Sequence, residues 1–215
     1  MARSAYKIGR VLLGELNVEY KLIENQVLGL LPDWAGATAF SNSVVNYCSQ
    51  GQTDTTRSGD SIKIQNLMLR GFIAAGNSIL TFTNPTFVRC VVYWQKNTDV
   101  ITGVFPSGVG TQDGILDFYL KGTGAAGALA INAPKDYDLD ATSTILYDKT
   151  WTISSNQPYH IFNKLIKINR HTQYENNSTS IASGVLRVAF LSNQSNAVST
   201  RPTVSWASRT YFIDN

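Results

Sequence analysis

Residues 57–75 read RSGDSIKIQNLMLRGFIAA, and residues 86–96 read TFVRCVVYWQK. These two stretches decide the fold class. In the first, Ile62 and Ile64 share one parity while Lys63 and Gln65 take the other, the period-2 pattern of a half-buried strand. After Asn66 the phase flips, because Leu67, Leu69 and Ile73 sit on the opposite parity. A one-residue slip inside an unbroken strand predicts a bulge or a change of neighbouring sheet, since one residue turns every later side chain over. In the second stretch both parities are apolar: Phe87, Val91 and Tyr93 on one, Val88, Cys90, Val92 and Trp94 on the other, with only Arg89 interrupting. Such a strand is expected to be covered on both faces, in the middle of a packed β structure.

Working outward, residues 15–24 (ELNVEYKLIE) alternate Leu16, Val18, Tyr20 and Leu22 against Asn17, Glu19, Lys21 and Ile23, which predicts a one-sided strand. Val44, Val45 and Tyr47 suggest another strand within residues 38–49, and the polar run 50–60 reads as a loop. Beyond the two long strands, residues 97–114 form a long connection with Gly103, Pro106, Gly108 and Gly110. Residues 115–120 admit either a short helix or a strand. Further strands are expected at 145–153, 161–174, 184–192 and 203–213, separated by polar runs, two of which contain Pro. About eight strands with unequal loops, and no helix longer than two turns, favour a sandwich or jelly roll over a meander. Residues 1–13 read as a short basic N-terminal arm, and 14–215 as one β domain, a length that all-β domains reach undivided.

Charged residues make up only 15% of the 215-residue chain, against roughly 25% in ordinary soluble domains, and Ser, Thr and Asn replace them. A sparsely charged surface suits a protein that lies against copies of itself. The net charge of +3 is too small to require a nucleic-acid partner. Cys48 and Cys90 stand far apart in no metal-like spacing, and Cys90, inside an apolar strand, is expected to pack as a small hydrophobe. No signal-peptide pattern and no bilayer-length apolar run is legible, so no membrane insertion is expected.

Catalytic chemistry is hard to assemble from this chain. Its two histidines, His160 and His171, lie in one predicted strand without coming side by side, so neither a base–nucleophile pair nor a cupin-like metal cluster is supplied. The chain is therefore read as a non-enzyme without a cofactor. Asp136, Asp138 and Asp140 alternate in KDYDLDA and are weak candidates for a cation site built from hard oxygen ligands; a solvated turn is the preferred reading. Gly122, Gly124 and Gly127 match G-x-G-x-x-G, but Pro134 follows and no βαβ pattern surrounds them, so the match is rejected. The sequons at Asn176, Asn177 and Asn193 fall in predicted loops and carry little meaning without a secretory signal. Basic residues remain. Lys164, Lys167 and Arg170 lie with His171 in IFNKLIKINRH, with Lys164 and Arg170 on one parity and Lys167 and His171 on the other. They do not form a single face, although either set is able to line a phosphate-contacting surface. No aromatic stacking platform is legible.

With the strands laid out, the chain resembles the capsid proteins of small circular Rep-encoding single-stranded DNA viruses, the circovirus-like group. The landmarks run in family order: ELNVEYK, RSGDSIKIQNLMLRGFI, FVRCVVYWQK, TILYDKTWTI, FNKLIKINRHTQY, GVLRVAFLSNQ and TVSWASRTYFIDN, covering roughly residues 15–215. The resemblance implies a single jelly roll, an eight-stranded antiparallel β-sandwich with long inter-strand loops. It implies self-assembly into a small icosahedral T=1 shell of sixty subunits, with viral single-stranded DNA and an unidentified host receptor as the other partners. The implied location is the virion, with the host nucleus during assembly. Arg3, Lys7 and Arg10 would then face the genome, with Lys164, Lys167 and Arg170 as weaker candidates. Relatives usually carry a longer Arg/Lys-rich arm. Here sixty copies at +3 would bring about +180, short of one negative charge per nucleotide in a genome on the order of a thousand nucleotides or more. Two other readings stay open: a jelly-roll carbohydrate-binding module, and the capsid protein of a satellite-type RNA virus. Against the former, Trp34, Trp94, Trp151 and Trp206 lie mostly in or beside predicted strands rather than in one set of loops.

Overall fold

The computed structural model describes residues 20–30, 32, 43–76, 85–97, 143–176, 178–194 and 201–214. Every element among them is a strand: β1 (Tyr20–Leu30), β2 (Ser43–Val44), β3 (Ser61–Ala74), β4 (Thr86–Asn97), β5 (Ser143–Ile153), β6 (Tyr159–Tyr174), β7 (Ile181–Ser192) and β8 (Thr203–Asp214). All pairings are antiparallel. First pairs with last, β2 with β7, β3 with β6 and β4 with β5, as in a long hairpin of strands rolled up on itself. The hydrogen-bonded path runs β1-β8-β3-β6-β7-β4-β5, with β2 on the free side of β7. Between β6 and β7 only Gln173↔Ser183 and Tyr174↔Ile181 are paired. That corner folds the path into two facing sheets, β1-β8-β3-β6 and β2-β7-β4-β5. The architecture is a jelly roll, as the strand count suggested.

The phase flip in β3 is a bulge. On both neighbours the register slips between Ile64 and Asn66, so that Ile62 and Ile64 before it, and Leu67, Leu69 and Ile73 after it, all reach the core. β4 is closed on both faces as expected. Val88, Cys90, Val92 and Trp94 join the core, while Val91 and Tyr93 on the other face are also shielded from solvent. Arg89, on that second face, is buried and is neutralised by Asp148 of β5, its Nε–H donating to Oδ1 at 2.8 Å. Between the sheets the rings interlock from alternate sides. Trp206 (β8) meets Phe190 (β7) at 6.1 Å between ring centres, Phe190 meets Phe162 (β6) at 5.9 Å, and Phe162 stacks on Trp151 (β5) at 5.1 Å.

Two features near the corner hold it. Gly184 has φ +77°, and a β-carbon there would lie 2.5 Å from the His171 carbonyl oxygen, so only glycine lets β7 turn this close to β6. Asn46, fully buried, donates to Thr172 Oγ1 and the Gly184 carbonyl (2.9 Å each) and accepts the Leu186 N–H at 3.0 Å.

Two expectations need correction. In β1 the apolar pair Tyr20 and Leu22 does not face inward: Tyr20 is exposed, and Lys21 and Ile23 take the buried parity. The reason is a charge partner at the other end of the chain. Lys21 Nζ lies 2.7 Å from Asp214 Oδ2 and donates to the Thr56 carbonyl at 3.1 Å, so its ammonium is paid for inside. The strand expected within residues 38–49 is short: β2 covers Ser43–Val44, Val45 is buried and Tyr47 is exposed. The RSGD sequence turns out to be a structural lock. Arg57 is fully buried over the Tyr174 ring (4.4 Å), and its guanidinium donates to the Gly59 and Ser178 carbonyls and to Asp60. Residues 1–19, 98–142 and 195–200 lie outside the described residues, and with them the basic arm, the 115–120 segment and the Gly122–Gly127 motif.

Candidate functional site

Of the candidate site residues singled out from the sequence, only Lys164, Lys167, Arg170 and the two histidines are described, and they do not form one cluster. Arg3, Lys7, Arg10, Asp136, Asp138 and Asp140 lie outside the described residues. Among the described residues, no group of three His, Cys, Asp or Glu side chains is placed to hold a metal ion. In β6 the buried positions are Phe162, Ile166, Ile168, Thr172 and Tyr174, all even. Lys167 and His171 therefore point outward, whereas Lys164 and Arg170 share the parity of the core. Arg170 is half-buried, its guanidinium 5.9 Å from the Trp94 ring centre, and Lys164 stands at the open side of the sandwich.

Lys167 and His171 belong to a larger surface, the outer face of the β1-β8-β3-β6 sheet. Antiparallel partners point to the same side, so the register reads out this face row by row. At one end Tyr20, Ile213, Lys63 and His171 lie abreast, followed by Leu22, Tyr211, Asn66 and Lys167. Across the middle run Glu24, Arg209, Met68 and Leu165, then Gln26, Ala207, Arg70 and Asn163. At the far end Phe72 lies between Ser205 and Ile161, and Tyr159 pairs with Ala74.

Two properties set this face apart. Of the seven large hydrophobic side chains exposed among the described residues, six lie on it: Tyr20, Leu28, Phe72, Tyr159, Ile161 and Leu165. Ile161 and Leu165 leave 73% and 67% of their surface in water, on a strand whose opposite face is core. Phe72, Ile161 and Tyr159 lie at one end of the face, and exposed apolar side chains grouped in this way mark an interaction surface. The second property is charge. Lys63, Arg70, Lys167 and Arg209 face one carboxylate, Glu24. Glu24 is taken by Arg209, whose Nε–H donates to Oε1 at 2.8 Å, a bond that raises the Arg209 pKa further. Lys63, Arg70 and Lys167 form no ion pair among the described residues. Lys63 and Lys167 lie at one end with Tyr20 beside them, while Phe72, Ile161 and Tyr159 lie at the other, next to Arg70.

Lys63, Arg70 and Arg209 escaped the sequence reading because they are spread over two strands. Their only signal was parity: the bulge at Gln65 is what brings Arg70 onto the face of Lys63. No protein-family model matches this chain, and no curated protein matches it. Among the described residues no helix is long and apolar enough to cross a membrane.

Proposed function

We propose that this protein is a viral coat protein. Its copies close into a small icosahedral shell of sixty subunits around circular single-stranded DNA. The observation that carries the reading is the outer face of the β1-β8-β3-β6 sheet, which exposes Phe72, Ile161 and Tyr159 toward one end and Lys63 and Lys167, without ion-pair partners among the described residues, at the other. The apolar end suits burial against a second copy, where Ile161, Leu165 and Phe72 would leave water. The cationic end suits phosphates, which ask only for positive charge and reach. A closed shell of identical subunits requires self-complementary patches, and the order of the sequence landmarks supports the viral assignment. In this reading the protein is not an enzyme, its location is the virion and, during assembly, the host nucleus, and a host receptor is a further partner.

Sedimentation of the purified protein, with absorbance at 260 and 280 nm, tests the proposal. A megadalton boundary with raised 260/280 ratio is expected. Ile161→Asp with Leu165→Asp should leave slow-sedimenting subunits, and Lys63→Ala with Lys167→Ala should keep the shell and lower the ratio. Wild-type protein that stays near the 23.6 kDa of one chain at all salt and pH values overturns it.

A further inference from the structure

A second basic site lies where the two sheets part. β5 and β6 are the edge strands of opposite sheets, and between them opens a cleft of about 530 Å³, within the roughly 300–1,000 Å³ typical of small-ligand sites. Its walls carry Lys149 and Lys164, with Tyr147, Trp151, His160 and Gln157 around them. The register shows what is unusual about the two lysines. Lys149 pairs with Cys90 and Lys164 with Leu69, both core residues, so each lysine stands on the inward face of its sheet. Their inward-facing neighbours, Trp151, Ile153, Phe162 and Ile166, are apolar and buried.

Two like charges therefore face the same gap between the sheets, and among the described residues no carboxylate lines it. The nearest acid in sequence, Asp148, has the opposite parity and is engaged by Arg89. Two exposed lysines at positions of core parity break the pattern of their strands, and such local departures gather at functional sites. The cleft holds two further features. The Trp206–Phe190–Phe162–Trp151 series of rings ends here on His160, 5.6 Å from Trp151 and tilted by 36°. The Tyr147 hydroxyl is buried without a hydrogen-bond partner, and burial, with smaller contributions from Cys90 and Asp148, pushes its pKa up to about 12, so it remains a donor.

We infer that this cleft binds one nucleotide unit of a single-stranded nucleic acid, its phosphate between Lys149 and Lys164 and its base against the His160–Trp151 rings. Lysine supplies the point charge, and an aromatic ring stacks with any base because every base has a π-face, so the site is blind to sequence. This deepens the proposed function, since it adds a contact to enclosed nucleic acid apart from the outer sheet face.

The test is a titration of the full chain with a fluorescein-labelled oligothymidylate at several salt concentrations, read by anisotropy and by tryptophan emission. Lys149→Ala with Lys164→Ala should weaken binding about tenfold and reduce the salt slope by about 0.7, one single-strand phosphate contact's worth. The tryptophan response should be lost, with an unchanged melting temperature. Lys63→Ala with Lys167→Ala should weaken binding but keep that response. Unchanged affinity and slope in the Lys149/Lys164 variant overturn the inference, as does tight binding of a sulfated oligosaccharide in place of the oligonucleotide. The two readings fail separately. A wild-type shell with a silent cleft variant removes the cleft alone; a monomer whose oligonucleotide binding depends on Lys149 and Lys164 removes the shell alone.

Discussion

Asp214→Asn removes one charge from the end of β8 and nearly nothing else. In the wild type, Asp214 Oδ2 lies 2.7 Å from Lys21 Nζ and accepts from the Ser58 N–H (3.1 Å) and hydroxyl (2.7 Å). Lys21 is 4% exposed, so the substitution leaves a buried ammonium without its counter-charge. Breaking a fully buried pair in this way costs about 3–5 kcal/mol. Here the Asp214 side chain keeps 19% of its surface in water, and Lys21 retains the Thr56 carbonyl. The expected loss is therefore about 2 kcal/mol, the buried-pair figure discounted for that exposure. For a chain of 215 residues this lowers the melting temperature by about 4–8 °C.

The pH dependence gives the sharper check. Burial works to raise the Asp214 pKa, but the hydrogen bonds from Lys21 and Ser58 outweigh it and hold the carboxyl below its ordinary value of 3.8. A group with a depressed folded-state pKa stabilises at pH values above its unfolded pKa, and this stability is lost as pH falls through the folded one. The wild-type advantage over Asp214→Asn should thus be constant from neutral pH down to about pH 5 and shrink below about pH 4. Thermal melts of both proteins across that range measure it. No offset at neutral pH, or an offset that persists undiminished once the wild-type carboxyl is protonated, refutes the reasoning.

Gly184→Ala should cost about 2–4 kcal/mol, the sum of a left-handed backbone strain and a clash with the His171 carbonyl and the Trp94 ring. An unfolding free energy from urea titration lowered by less than a quarter of that would show that the β6–β7 corner does not need glycine. Both thiols are buried, and desolvation first of all raises the pKa of Cys48 and of Cys90. Neither should react with a thiol reagent at neutral pH until the chain unfolds, and a thiol that titrates at once in the native protein would contradict that burial.

β3 and β4 were legible because their signals are local. The period of two, the slip at Gln65 and the apolar run from Val88 to Trp94 each depend on neighbours a few residues away, and each reappears in the register. β1 was misread for the opposite reason. Its buried parity is decided by Asp214, nearly two hundred residues downstream, and a window of ten residues sees only that Tyr20 is more apolar than Lys21. The candidate surface was half legible: Lys167 and His171 have outward parity in their own strand, but their companions Lys63, Arg70 and Arg209 come from β3 and β8.

The alternation of apolar and polar side chains by itself determined that this chain forms β strands, roughly where they run, and that β4 lies in the middle. Side-chain period is a property of the backbone and needs no partner to be read. Which strands lie next to one another was decided only by the tertiary structure. Pairing first with last and third with sixth gathers Lys63, Lys167 and Arg209 on one face, and parting β5 from β6 turns Lys149 and Lys164 from core positions into the walls of a cleft. Charge acts through space, and the distances that give it meaning exist only once the strands have packed.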